Sequence, residues 1–505
     1  MSDLALPALR RPLRLRGSFL LKIPVAVAIT LFADWLSQAG LYWGGERSMG
    51  SVAGLLAGLS LALALGLHPA VWRSRPALVA AGAGLGLAGL LAFDPGTNFV
   101  LLFLVALTLM PLLARFVRFD DAWRWFPRLT LSLLAGFLAP FLDLVGLMRV
   151  RRKRRGRGGL DIFGLVGLLV LPLAGTAVFL LLFADANPLI LGFLVGLDLR
   201  SLFAVLTPGR IACWMAVGLL AWTVLRPMHL LALPRRDVAA SPKALPGAGF
   251  ASVLLSLVSF NLLFAVQNGL DLAFLWSGAP LPGDVTLASY AHRGAYPLIA
   301  TALLAALFVL VTLRPGSAMA ASRPMRLLVF AWIAQNIFLV ASSILRTLDY
   351  VEVYSLTVWR LAAILWMGLV AVGLALISWR ILSQRSTAWL INANVLAALA
   401  LVVTATLADP AALVAQWNVE HNREVAGSGA SLDLAYLQGL GAPALLSLIE
   451  LQKKPVSLDL KMNLLLAIGE VTRKVERDQA DWRSWTPRNA WRLARATPLT
   501  DSIER

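Results

Sequence analysis

Residues 149–157 read Arg-Val-Arg-Arg-Lys-Arg-Arg-Gly-Arg and lie between apolar runs at 129–148 and 161–184. Clustered Lys and Arg beside segments of bilayer length mark a cytoplasmic loop, because such charge resists translocation. The composition agrees. Of 505 residues, 59% are hydrophobic and 14% charged, and the mean hydropathy is +0.76. A water-soluble chain carries about a quarter charged residues, so this chain has too few to clothe a wet surface. It is read as an integral membrane protein. Lys plus Arg number 45 against 27 acids, a net charge of +18, but these cations fall between apolar runs instead of lining a groove, which excludes nucleic acid as a partner. The chain has one cysteine, Cys213, so no disulfide framework or thiolate metal centre forms within it.

Crossing a bilayer as helix takes about 20 apolar residues, since only a helix satisfies its own backbone there. Candidate spans fall at 18–40, 50–71, 76–94, 97–114, 129–148, 161–184, 209–228, 249–276, 296–313, 327–346, 355–380 and 387–408. The first carries Lys22 and Asp34 and no small-residue cleavage site, so it reads as an anchor and not a cleaved signal peptide. The expected fold is an all-α polytopic transmembrane bundle of about eleven to twelve crossings, with a small helical tail outside the cytoplasm. Its expected organisation is an amino-terminal membrane part at 1–148, a basic loop at 149–160, a core membrane domain at 161–408 and a periplasmic tail at 409–505.

Orientation follows from the loops. Arg226, Arg235, Arg236 and Lys243, then Arg314, Arg323 and Arg326, then Arg380 and Arg385 fall on the side of the basic run, while 278–296 and 346–354 are acid-balanced. Seven spans from Asp161 onward place the tail on the far side. The amino terminus conflicts with this map: Arg10, Arg11, Arg14 and Arg16 ask for the cytoplasm, yet five full spans would then put 149–157 outside. The expected resolution is a re-entrant hairpin at 129–148, which Gly136, Pro140 and Asp143 burden, preceded by an interfacial stretch at 115–128. An external amino terminus with twelve crossings is the alternative.

Ionisable groups near hydrocarbon are costly unless paired, and they are often functional. Asp271, Tyr290, His292, Arg293, Arg346, Asp349, Tyr354 and Arg360 all fall at one end of the eighth to eleventh spans. Two readings stand side by side. Asp271 or Asp349 neutralises Arg346 or Arg360 and clamps helices together, or the group forms a ligand or catalytic site with His292 as its proton-transfer residue. Gln335, Asn336, Asn392 and Asn394 lie inside spans, where amide hydrogen bonds between helices or a polar path would account for them. Gly54 with Gly58 and Gly82 with Gly86 have the spacing of close helix packing. No phosphate-binding Gly-rich loop, His-Glu-x-x-His or Gly-x-Ser-x-Gly is present, and the four histidines are scattered, so the chain leans away from an enzyme and calls for no cofactor or metal.

The tail is soluble in composition. Ser431 to Leu451 and Leu458 to Asp481 each have an amphipathic helical pattern, and Trp482, Trp485 and Trp491 among Arg483, Arg488, Arg492 and Arg495 suit lipid head groups or packing back onto the outer loops.

Five separated patterns resemble a family of bacterial polytopic inner-membrane proteins, domain of unknown function 4173 and its relative 4153. They are Phe183-Ala-Asp-Ala-Asn-Pro188, Gln267-Asn-Gly-Leu-Asp271, Tyr290-Ala-His-Arg-Gly-Ala-Tyr-Pro297, the series Arg346, Tyr350, Tyr354, Thr357 and Arg360, and Asn418-Val419 with Leu432-Asp-Leu-Ala-Tyr-Leu437. The resemblance covers about residues 160–450 and implies a bacterial inner-membrane protein with a periplasmic tail; it brings no activity. Three functions remain open: a non-enzymatic membrane component, as sensor or envelope-assembly partner acting through the tail; a carrier of a small or lipid-linked solute; and a periplasm-facing transferase using His292 with Arg293, Arg346 and Arg360. Membrane lipids are partners of each, and the oligomeric state is left open. The topology predicts that a reporter fused after Arg505 is active only outside the cytoplasm and one near Arg154 only inside; an active cytoplasmic fusion after Arg505 would invert the second half of the map.

Overall fold

The computed structural model describes residues 17–37, 50–114, 121–154, 208–226, 250–277, 304 and 322–504. The expected spans at 161–184 and 296–313, the resembling patterns at 183–188 and 290–297, and Tyr290, His292 and Arg293 lie outside the described residues. Among the described residues the protein is all-α, with no strands. Among the described residues six helices are long and apolar enough to cross a membrane, and three shorter apolar helices accompany them. The protein is a multi-pass helical membrane bundle.

The helices are α1 (Gly17–Ser37), α2 (Val52–Leu67), α3 (Arg75–Phe93), α4 (Thr97–Leu113), α5 (Ala122–Arg154), α6 (Pro208–Leu225), α7 (Phe250–Asp271), α8 (Arg323–Tyr354), α9 (Val358–Leu382) and α10 (Thr387–Leu407). The tail adds α11 (Pro410–Glu420), α12 (Arg423–Ala426), α13 (Leu434–Leu440), α14 (Leu445–Gln452), α15 (Leu458–Ala480) and α16 (Pro487–Glu504). The chain divides into two compact units, one of residues 1–89, 103–118 and 128–232, the other of 90–102, 119–127 and 233–505.

In the first unit α1 lies along α6, with Ala26, Ile29, Ala139, Ala221, Trp222 and Leu225 forming a common core. Two buried acids are each matched by an arginine. Arg210 clasps Asp34 through Nε at 2.9 Å and Nη2 at 2.5 Å, and Asp143 accepts from Trp222 Nε1 at 3.1 Å while Arg226 Nε stands 2.9 Å away. The Lys22 ammonium donates to the carbonyl of Leu225, a favourable place for a cation at the last turn of α6.

The hairpin expected at 129–148 is not formed. Residues 122–154 make one helix of 33 residues, about 50 Å long at 1.5 Å per residue, and its Ala122–Asp143 part is long and apolar enough to cross. The features that argued for a break have other uses. At Gly136 the side chain of Thr223 on α6 packs against the backbone: a Cβ there would lie 2.1 Å from Thr223 Oγ1. Asp143 is neutralised by Arg226, and a proline such as Pro140 is tolerated in a membrane helix because neighbours re-satisfy the freed carbonyl. Arg149 to Arg154 therefore extend a helix and do not form a loop. If α1 to α5 all cross, the amino terminus and the basic run lie on opposite sides, which is the arrangement of the external amino terminus. No described atom lies within 4 Å of a Cβ built at Gly58, Gly82 or Gly86.

In the second unit α7, α8, α9 and α10 pack in sequence around Val253, Leu257, Val329, Trp332, Ile333 and Met367. Trp332 is held between Phe260 and Phe264, with ring centroids 5.2 and 5.8 Å away. The tail has a core of its own, in which Ala415, Leu437, Leu445, Leu448, Leu464 and Ile468 meet. Here Ser431 to Leu451 is not one helix: α13 and α14 are bent by 115° across Gly441, whose φ of +68° suits glycine and breaks the run just before Pro443. The second expected helix forms as α15. Gly136→Ala should destabilise the protein by about 1–3 kcal/mol, because neither Thr223 nor the helix backbone can yield 1 Å cheaply; thermal unfolding in detergent measures it, and an unchanged midpoint would contradict the close approach.

Candidate functional site

The expected polar cluster separates into two structures at one end of the second unit. Asp271 ends α7 and Arg346 lies in the last third of α8; Asp271 is 0% exposed and Arg346 3%. Arg346 Nη2 donates to Asp271 Oδ1, and Gln267, one turn earlier on α7, donates to the same oxygen at 3.0 Å. Beyond Asp271 the helix widens into a π turn at Leu272–Trp276. That turn delivers Trp276 to α8, where Nε1 donates to Ser342 Oγ at 3.0 Å and the ring stacks on Phe338. The pair is a clamp between α7 and α8, and its burial excludes water.

Arg360 does not join this pair. It stands on the first turn of α9, and its Nη1 donates to the carbonyls of Tyr354, at 2.6 Å, and Ser355. Its guanidinium also covers the Tyr350 ring at 4.7 Å, and the Tyr350 and Tyr354 rings lie 4.6 Å apart. Arg360 thus caps the carboxyl end of α8, where free carbonyls collect negative potential. Asp349 is half-buried and makes no ion pair among the described residues.

Between the two helices Ser355 takes φ +65°, and the turn 355–357 exposes backbone groups that neither helix can bond. The tail supplies their partners. Asn418 of α11 accepts from Leu356 N at 2.8 Å and donates to Leu356 O at 2.8 Å, copying a backbone partner. The Tyr436 hydroxyl accepts from Val358 N at 3.0 Å, and Thr357 caps α9 by accepting from Arg360 N. Gly429, at φ +96°, passes so near His421 O that a Cβ would lie 2.6 Å from it. His421 itself stacks on Trp417, centroids 3.8 Å apart. A second set of links ties α16 to the ends of the spans. Arg488 reaches Asp94 at 2.6 Å and Leu407 O at 3.2 Å, and Arg492 pairs with Asp409. Burial lowers the Arg492 pKa from its ordinary value, while the Asp409 carboxylate opposes that shift. Arg483 and Arg495 instead lie over Trp482 and Trp491.

Reading residues alone assigned no role to Asn418 or Tyr436. The signal was there: both lie in the pattern that carries the family resemblance, and they meet the series Arg346 to Arg360 from the same resemblance. Deeper in the membrane, Asn261, Asn268 and Gln335 link α7 to α8 through amide hydrogen bonds, with Gln335 Nε2 to Asn261 Oδ1 at 2.9 Å and Asn268 Nδ2 to Gln335 O at 3.1 Å.

A family model described as "Domain of unknown function (DUF4153)" matches residues 80–451. The chain belongs to that family, and the match settles the resemblance on 4153. No curated protein and no solved structure matches it. Asp271→Ala should cost about 3–5 kcal/mol by leaving the Arg346 charge buried; exchanging the charges as Asp271→Arg with Arg346→Asp should recover part of the lost protein level on a membrane immunoblot, and a stable, abundant Asp271→Ala protein would show that the pair is not a clamp.

Proposed function

We propose that this member of the DUF4153 family is a non-enzymatic component of the bacterial inner membrane whose periplasmic tail docks an apolar segment of an envelope protein. The observation that carries this reading is on α15. One side of it, Leu464, Ala467, Ile468, Val471 and Val475, is buried in the core of the tail. The other presents Leu458, Met462, Leu465 and Leu466 as large exposed apolar residues, at the i, i+4, i+7, i+8 spacing of a helix stripe. A stripe of this kind on a folded domain suits helix-in-groove or helix-on-helix recognition. The tail is fastened to the α8–α9 turn and to Asp409, so a partner seated there bears on the spans, which fits a sensor or assembly role.

The inner membrane and the periplasmic side are supported by the basic stretches 149–157, 235–243, 314–326 and 380–385 between apolar segments. The transferase reading loses support, because two of the three guanidiniums it gives an anion, Arg346 and Arg360, are engaged by Asp271 and by carbonyls, and the third, Arg293, lies outside the described residues. One observation favours the carrier reading in second place: Asn268 Oδ1, Gln335 Oε1 and Asn336 Oδ1 are buried between spans with no hydrogen-bond partner among the described residues, an acceptor-rich patch suited to a solute bearing N–H or O–H groups or a cation.

The two readings part on one experiment. Met462→Glu with Leu466→Glu changes only exposed positions, so the protein should stay abundant and inserted while failing to complement the growth or envelope defect of the gene deletion. Full complementation by that double variant, with loss of complementation in Asn336→Leu, would overturn the docking role in favour of the carrier.

A further inference from the structure

Arg380, in the last turn of α9, is 3% exposed. A guanidinium carries five N–H donors, and here Nη2 donates to Thr387 Oγ1 at 3.0 Å while Nε and Nη1 have no hydrogen-bond partner among the described residues. No carboxylate pairs with it among the described residues. Every other buried cation described above has an acid or a set of carbonyls; this one has a single neutral hydroxyl. Burying an unpaired charge costs several kcal/mol, so the site lacks a negative group.

The surroundings indicate what that group is. Thr387 is the first residue of α10, and Ser386 caps it by accepting from Trp389 N at 3.1 Å. The amino end of this 21-residue helix carries partial positive charge and amide donors, so Arg380 and α10 direct like potential at one place. A second cation, Arg385, stands exposed in the turn 383–386. Trp379, 59% exposed, and Trp389 flank the turn, and indoles collect at the depth of lipid head groups. A carboxylate would satisfy one edge of the guanidinium; a tetrahedral oxyanion reaches both the fork and the helix end.

We infer that the α9–α10 turn is a phosphate-binding site in which Arg380, oriented by Thr387, and the amino end of α10 hold a phosphate group presented at head-group depth. The inference does not depend on the docking function or on which side of the membrane the turn faces. The phosphate can belong to an anionic phospholipid or be free.

The test uses the full chain purified in an uncharged detergent, with thermal unfolding followed during titration with phosphatidylglycerol, with diacylglycerol of the same chains, and with inorganic phosphate. Phosphatidylglycerol should raise the midpoint and diacylglycerol should not. Stabilisation by phosphatidylglycerol alone identifies the lipid head group; equal stabilisation by inorganic phosphate identifies the free anion. Arg380→Gln should weaken the response by about tenfold or more, the value of a charge-assisted hydrogen bond lost, while Arg473→Gln, on an exposed face of the tail, should respond as wild type. Should Arg380→Gln not fold, Arg380→Lys serves in its place, since it keeps the charge and loses the fork, and it should bind more weakly than wild type. A wild-type protein indifferent to both phosphates, or an Arg380 variant that responds as wild type does, overturns the site.

Discussion

The reversal of the chain between α8 and α9 leaves the backbone of Leu356 and Val358 without helical partners at the edge of the bilayer, where an unbonded N–H costs as much as a lost hydrogen bond. Asn418 answers both groups of Leu356 and Tyr436 answers Val358. Those residues reach the turn only because the tail folds around its own core, with α11 packed on α14 and α13 leading into the bend at Gly441. The turn therefore requires the tail, and α8, which the turn orients, is the helix on which α7 and α9 both pack. Arg360 closes the same corner from the other side by binding the last carbonyls of α8.

Charge follows the same logic of local satisfaction. Asp34, Asp143 and Asp271 are acids inside apolar helices, and each has an arginine from another element: Arg210, Arg226 and Arg346. Such pairs contribute little net stability compared with apolar packing, but breaking one is severe. Their value is in register: a helix that slid by one turn would strand both charges. Asp409 and Asp94 play this part at the tail, holding Arg488 and Arg492 against the ends of the spans.

The helical membrane character was legible in the apolar runs, since periodicity and length decide it without tertiary information. The polar detail was legible only as a set of candidates. Asp271 and Arg346 stood out as charges that hydrocarbon does not tolerate alone, yet nothing in their spacing said that they pair with each other and that Arg360, with the same chemistry, turns to a helix end. Gly136 and Pro140 read as a break because a glycine and a proline in one segment have that meaning in isolation; the close approach of Thr223 that makes glycine necessary comes from a helix over 80 positions away in the chain. Asn418 and Tyr436 were marked only by lying in the resembling pattern, and their role was hidden for the same reason: an asparagine and a tyrosine in a polar tail carry no local sign that they complete a distant turn.

The two ends of the α8–α10 group differ in a way that bears on function. At the end carrying the tail, the backbone of the 355–357 turn is met by side chains, and the cations Arg346, Arg360, Arg488 and Arg492 have oxygens to bind. At the opposite end the α9–α10 turn presents a buried guanidinium with one neutral partner beside the positive end of a helix. At the tail end the turn is completed from the chain itself, so its polar groups are already engaged, and what the tail leaves exposed there is the apolar stripe of α15. At the other end no described residue completes the Arg380 guanidinium beyond the Thr387 hydroxyl. Polar satisfaction thus differs between the two ends of the same helices: among the described residues one turn is completed by side chains of the tail and the other leaves a buried guanidinium with one neutral partner.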